Sequence, residues 1–187
     1  MKAVLMSIHP KWCELIASGK KTVEIRKNKP KLETPFKVYI YMTMDKCPKF
    51  VYDEKLEKQS VFERAQNLAN GRVIGEFVCD KVEQGHILWV KEQPEYYDRV
   101  EEKTQLTYRQ MFDYLGESGI GWFWHISNLV IYDKPKGVSD FRKHCNHKND
   151  CFNDACFNCE RYDYIGHRCY DDVVRPPKSW CYVEEQK

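Results

Sequence analysis

A chain of 187 residues is long enough for one domain with a real core and too short for two comfortable ones. Hydrophobic residues at 42% and aromatics at 14% exclude a disordered chain, and a formal net charge of +2 restricts any nucleic-acid surface to a local patch. The opening apolar run is too short for a signal peptide, and no stretch approaches the ~18 apolar residues of a membrane span. A cytoplasmic protein with no membrane contact is therefore expected.

The chain opens with Lys2 to Ile8, which reads as a short buried strand. Pro10 suits the first turn of a helix whose spacing is carried by Trp12, Leu15 and Ile16 and which Gly19 ends. Thr22 to Lys27 alternates, with Val23 and Ile25 on one face and Thr22, Glu24 and Arg26 on the other. After a loop bounded by Pro30 and Pro35, Phe36 to Met42 is another alternating strand. Residues 54–70 carry an amphipathic helical pattern ending in Asn70-Gly71. Arg72 to Val82 is a strand in which Gly75 marks a bulge or a close backbone approach. Tyr108 to Leu115 is a short helix stopped by Gly116, and Gly121 to Tyr132 is a last long strand. On that strand Trp122 and Trp124 share one face and Phe123 and His125 the other; His125 reads as structural. Short strands with a few helices between them predict an α+β mixed barrel. Apolar periodicity ends near residue 140, so the barrel is assigned to 1–142 and a loop-rich appendage to 143–187.

That appendage holds six of the nine cysteines. In a reducing cytosol clustered cysteines bind metal or react more often than they form disulfides. Cys156-x-x-Cys159 supplies half of a tetrahedral zinc site, with Cys151 and Cys169 as the second pair and Cys145, His147 and His167 as alternates. Metal binding would give a short loop-rich segment the folding free energy that its small core lacks. The run Cys151-x4-Cys156-x2-Cys159 also matches a plant-type iron–sulfur spacing, with Cys169 or Cys181 as fourth ligand. Zinc is favoured because the ferredoxin setting is missing around it.

Residues 19–31 form the densest basic stretch, in which Lys20, Lys21, Arg26, Lys27, Lys29 and Lys31 face the single acid Glu24. Phosphate is the natural partner of such a patch, against the plainer reading of a solvated turn with a Glu24–Arg26 pair.

The spacing Gly19, Lys21, Glu24, Arg26 resembles the Gly-x-Lys-x-x-Glu-x-Arg signature of ASCH domains. The resemblance extends to Ser7-Ile8-His9-Pro10-Lys11-Trp12, Tyr39 to Thr43, Val73 to Phe77, and Trp124-His125-Ile126 through Pro135. Arg175 to Tyr182 is similar to a closing strand, placed near 178–184, of phage and bacterial members; here it follows the Cys-rich extension. The resemblance implies a small PUA-like mixed β-barrel with flanking helices. It also implies a basic cleft that binds RNA or a nucleoside or nucleotide, lined by Ser7, Lys20, Lys21, Glu24, Arg26, Lys27, Tyr41 and Trp124. Trp124, from the family-like run, is then the ring for a nucleobase and Trp122 a core residue.

Some small members hydrolyse N4-acetylcytidine and others have been described as ribonucleases, which makes an amidohydrolase or a ribonuclease the alternative to a binding protein. Lys21 and Glu24 would carry the catalysis, Lys21 as base or electrostatic stabiliser and Glu24 as activator of water. Glu24 stands where the deacetylating members carry a threonine nucleophile, which favours binding over turnover. A second alternative is a metal-stabilised module whose barrel binds another protein.

Overall fold

The computed structural model describes residues 1–44, 69–87, 94–143 and 173–186. The expected helix over 54–70, except for Ala69 and Asn70 at its end, and the cysteine ligands Cys151, Cys156, Cys159 and Cys169, with their alternates Cys145, His147 and His167, lie outside the described residues. No described helix is long and apolar enough to cross a membrane.

The elements in chain order are β1 (Lys2–Ile8), α1 (Pro10–Ala17), β2 (Val23–Arg26), β3 (Phe36–Met42), β4 (Val73–Cys79), β5 (Val82–His86), α2 (Pro94–Thr104), α3 (Tyr108–Leu115), β6 (Ile120–His125), β7 (Ser127–Lys136) and β8 (Trp180–Glu184). The strands form two sheets, one in the order β7-β4-β3-β1-β8 and the other β2-β6-β5. β1 and β3 run parallel, so the chain between them must cross over, and α1 and β2 occupy that crossover. The closing strand, β8, pairs antiparallel with β1, Lys2 opposite Glu184 and Met6 opposite Trp180.

The mixed α+β class holds, but the strands do not close into a barrel among the described residues. The reason lies at Ile126. One continuous strand is expected over Gly121 to Tyr132; instead β6 stays with β2 and β5, while β7 joins β4 in the other sheet. The break falls between the two segments, with Asn128 in the left-handed region at φ 46°. A strand that changes sheets makes a corner and leaves two stacked layers.

Side-chain alternation then builds three cores. Val4, Met6 and Ile8 of β1, with Val38, Ile40 and Met42 of β3, face the second sheet and pack against Trp124. Their neighbours Ala3, Leu5, Tyr39 and Tyr41 face the opposite way, toward Phe141, Val173 and Val183. Val23, Ile25 and Phe123 on the outer face of the smaller sheet are covered by Val100 of α2 and by Met111 and Leu115 of α3. At Gly75, where a bulge or close approach is expected, a Cβ would stand 2.4 Å from the Val130 carbonyl oxygen on β7. The β4 register shifts there as well.

Candidate functional site

The Gly19 turn starts the site. Gly19 takes φ 73°, a conformation that a side chain disfavours, and its N–H donates to the Ile16 carbonyl at the end of α1. The tight turn delivers Lys21 to the interior, where its backbone N–H donates to the Leu15 carbonyl at 2.9 Å and its side chain is 1% exposed. Lys21 Nζ donates to the Thr104 carbonyl oxygen at 2.6 Å and pairs with Glu24 Oε2 at 3.3 Å, with the Trp12 ring centroid 5.5 Å away. Burial pushes the Lys21 ammonium below its ordinary pKa, and Glu24 only partly offsets it.

Glu24 and Arg26, two positions apart on β2, share the face that looks into the space between the sheets. Arg26 Nη2 meets Glu24 Oε1 at 3.0 Å and donates to the Ser7 carbonyl at 2.7 Å, while Nη1 donates to Ser179 Oγ at 3.3 Å. Each Glu24 oxygen therefore faces one cation. Ser7 is held in turn: its Oγ donates to the Pro177 carbonyl at 2.6 Å and its N–H to the Ser179 carbonyl at 2.9 Å. The network fastens β2, β1 and the approach to β8 at a single point.

Two donors beside this network are unspent. Arg26 Nε and Trp124 Nε1 are both buried without a hydrogen-bond partner among the described residues. Trp124 lies opposite Glu24 in the β2–β6 register, so both donors belong to one face. Buried donors without acceptors are rare and costly in folded proteins. Beneath them Cys13 is sealed: burial, with a contribution from Glu24, raises its thiol well above the ordinary pKa.

The family model for the ASCH domain matches residues 6–134. The chain belongs to the ASCH domain family. Three solved structures share its fold, all of the ASCH protein of Zymomonas mobilis. The unsubstituted protein is 16% identical with a TM-score of 0.54, over 98% of this chain and 88% of that one. A tyrosine-to-phenylalanine mutant gives 16% and 0.55 over 99% and 92%. A serine-to-alanine mutant gives 15% and 0.54 over 98% and 89%. No curated protein sequence matches the chain.

Within this ASCH domain the structure brings together Lys21, Glu24 and Arg26, as the signature spacing implies, and adds the Ser7 backbone. Lys20 and Lys27 are exposed on either side of β2. Two expected cleft residues do not offer an open ring. Tyr41 is 4% exposed and belongs to the core on the far face of the larger sheet. Trp124 is 0% exposed, edge-on to Phe36 at 5.6 Å and tilted against Trp180 at 5.8 Å, so its ring faces are spent on protein. Trp122 is the half-buried one, lining a groove with Lys29 and Lys31. Alternation put both tryptophans on one face but carries no information about depth. His125 is hydrogen-bonded at the surface, its Nε2 2.8 Å from Glu83 Oε1. Thr104 and Ser179, which complete the ion-pair network, carry no local signal in the sequence. Among the described residues no group of three or more His, Cys, Asp or Glu could hold a metal.

Proposed function

We propose that this ASCH domain binds RNA or a modified nucleoside at the signature face of β2. The observation that carries the reading is the pair of unspent donors, Arg26 Nε and Trp124 Nε1, set beside the ion-paired Glu24. Nucleobases present carbonyl and ring-nitrogen acceptors, and a buried donor gives its full discrimination only when such an acceptor arrives. The exposed Lys20 and Lys27 supply phosphate contacts at the rim. Lys21 and Glu24 then position the site, because both are committed to partners.

The test is calorimetric titration of cytidine, N4-acetylcytidine and a short unpaired RNA into the full chain, repeated with Trp124→Phe. That substitution keeps an aromatic ring in the core while removing the donor and part of the indole volume, so a urea melt of the variant accompanies the titration. Weaker binding by about 5- to 10-fold with unchanged folding supports the reading, in line with a hydrogen bond of ~1 kcal/mol. Equal affinity would remove Trp124 from it.

Hydrolysis of an acylated base is a second reading, favoured by the place of Lys21, sealed in the interior 3.3 Å from Glu24, where burial pushes its ammonium pKa down as a lysine base requires. Product formed from N4-acetylcytidine by the wild type, and lost in Lys21→Met with binding retained, would make the protein an enzyme. Alongside either reading we propose structural zinc on Cys151, Cys156, Cys159 and Cys169, supported by the Cys156-x-x-Cys159 spacing.

A further inference from the structure

The loop after β2 carries a feature that the signature face does not use. Three aromatic rings lie around it, each with a lysine ammonium against the ring. Lys27 Nζ is 5.5 Å from the Tyr114 centroid, Lys29 Nζ 4.4 Å from Trp122, and Lys2 Nζ 3.9 Å from Tyr182. The loop joins these rings physically. Lys31 N–H donates to the Tyr182 hydroxyl at 2.6 Å, and Asn28, Lys29, Lys31 and Glu33 line a groove of about 500 Å3 with Trp122. Trp122 pairs with Arg26 in the β2–β6 register, so the groove opens on the same face as the signature, one residue pair further out.

A sealed tryptophan and an open one on the same face have different uses. Trp124 has protein on both sides, whereas the exposed partner of Trp122 is a flexible lysine. An exposed ammonium on a ring is worth a factor of about 2 to 5, while a nucleobase stacked on an aromatic side chain is worth roughly 5- to 100-fold. A base therefore displaces the ammonium, and the freed ammonium stays within reach of the phosphate that the base brings. The same pairing repeated on Tyr182 suits a chain of alternating bases and phosphates.

We propose that Trp122 is a stacking platform for an unpaired RNA base, that Lys29 leaves the ring to take the adjoining phosphate, and that Tyr182, tied to the same loop through Lys31, continues the track. The proposal rests on the RNA-binding reading above and names where the strand runs once it leaves the signature face. Stacking needs an open base face, so the partner is single-stranded.

The experiment titrates the full chain with an eight-nucleotide pyrimidine RNA, the corresponding duplex, and inorganic polyphosphate as a charged chain without bases. The wild type is expected to bind the single strand more tightly than the duplex. Trp122→Leu should weaken the single strand by roughly 5- to 100-fold and leave polyphosphate unchanged, while Trp122→Phe stays within about 3-fold of wild type. Lys29→Met, at an exposed position that leaves folding intact, should make the salt dependence shallower by about one charge and decides the matter if Trp122→Leu does not fold. Single-strand affinity untouched by Trp122→Leu, an unchanged salt slope in Lys29→Met, or equal affinity for duplex would overturn the platform and leave the signature-face reading standing. A wild type that binds no RNA at all overturns the platform and the RNA half of the reading above, and leaves the signature face to the nucleoside titrations.

Discussion

The Lys21 ammonium and the Thr104 carbonyl, 83 residues apart in sequence, meet at 2.6 Å in the interior. Thr104 is the last residue of α2, and the preceding Lys103 carbonyl accepts from the Thr22 N–H at 2.9 Å. Consecutive residues of one turn thus satisfy the last carbonyls of a helix and place a cation at the negative end of its dipole. The same ammonium neutralises Glu24, so the signature lysine is a structural joint as well as a site residue.

Lys21→Met should accordingly cost about 3 kcal/mol, since removing one partner of a buried pair strands the other. Urea unfolding measures it. Lys20→Met, one residue earlier on the exposed side of the turn, should leave the midpoint where it is. Equal effects of the two substitutions would contradict the buried joint.

Acid should weaken the outer face of the larger sheet. Burial raises the Glu76 carboxyl pKa, but hydrogen bonds from Lys37 and the Tyr132 hydroxyl outweigh it and leave the group below its ordinary 4.5. A depressed carboxyl contributes stability that is present above the unfolded value of ~4.3 and is lost as pH falls through the folded one. Glu76→Gln should therefore flatten the loss of melting temperature below about pH 4.5. A slope identical to wild type would show that Glu76 does not drive it.

The described core thiols should resist alkylation in the folded protein. Burial raises the Cys13 thiol well above the ordinary range and pushes Cys79 up to about 12. Iodoacetamide at pH 8 followed by peptide mass mapping should label both only after denaturant is added. Fast native labelling of Cys13 would show that the space between the sheets opens.

Purified protein should carry about one zinc per chain, the complement of a single four-ligand site. Cys156→Ser should lower that content in elemental analysis. A visible absorption band with iron in place of zinc would reverse the assignment to a cluster.

The parts of the fold legible in the sequence are those with local punctuation. α1 is announced by Pro10 and Gly19, and α3 by a stop at Gly116, to which the structure adds a capping box between Thr107 and Gln110. Gly75 read correctly as a close approach because only the absent side chain makes room for β7. α2 went unread because its sequence is mostly polar and offers a thin apolar stripe, with Val100 reaching the core. The corner at Ile126 also went unread, since no glycine or proline marks it and the apolar character continues across it. In the site, spacing brought Lys21, Glu24 and Arg26 together. Their burial depended on Thr104 and Ser179, distant in the chain, and a basic run reads locally as solvent-exposed.

The β1–β8 pairing has a consequence for biosynthesis. Residues 4–6 have β3 on one side and β8 on the other, so a nascent chain carries a hydrophobic strand with one open edge until the ribosome has passed Glu184. Arg26 likewise waits for Ser179 before its second hydrogen bond can form. Pairing across so long a separation delays completion of the sheet and leaves an edge that invites partners in the meantime. Premature termination anywhere after β7 would yield a polypeptide with nearly all its strands and an unprotected seam, a species for proteases and chaperones.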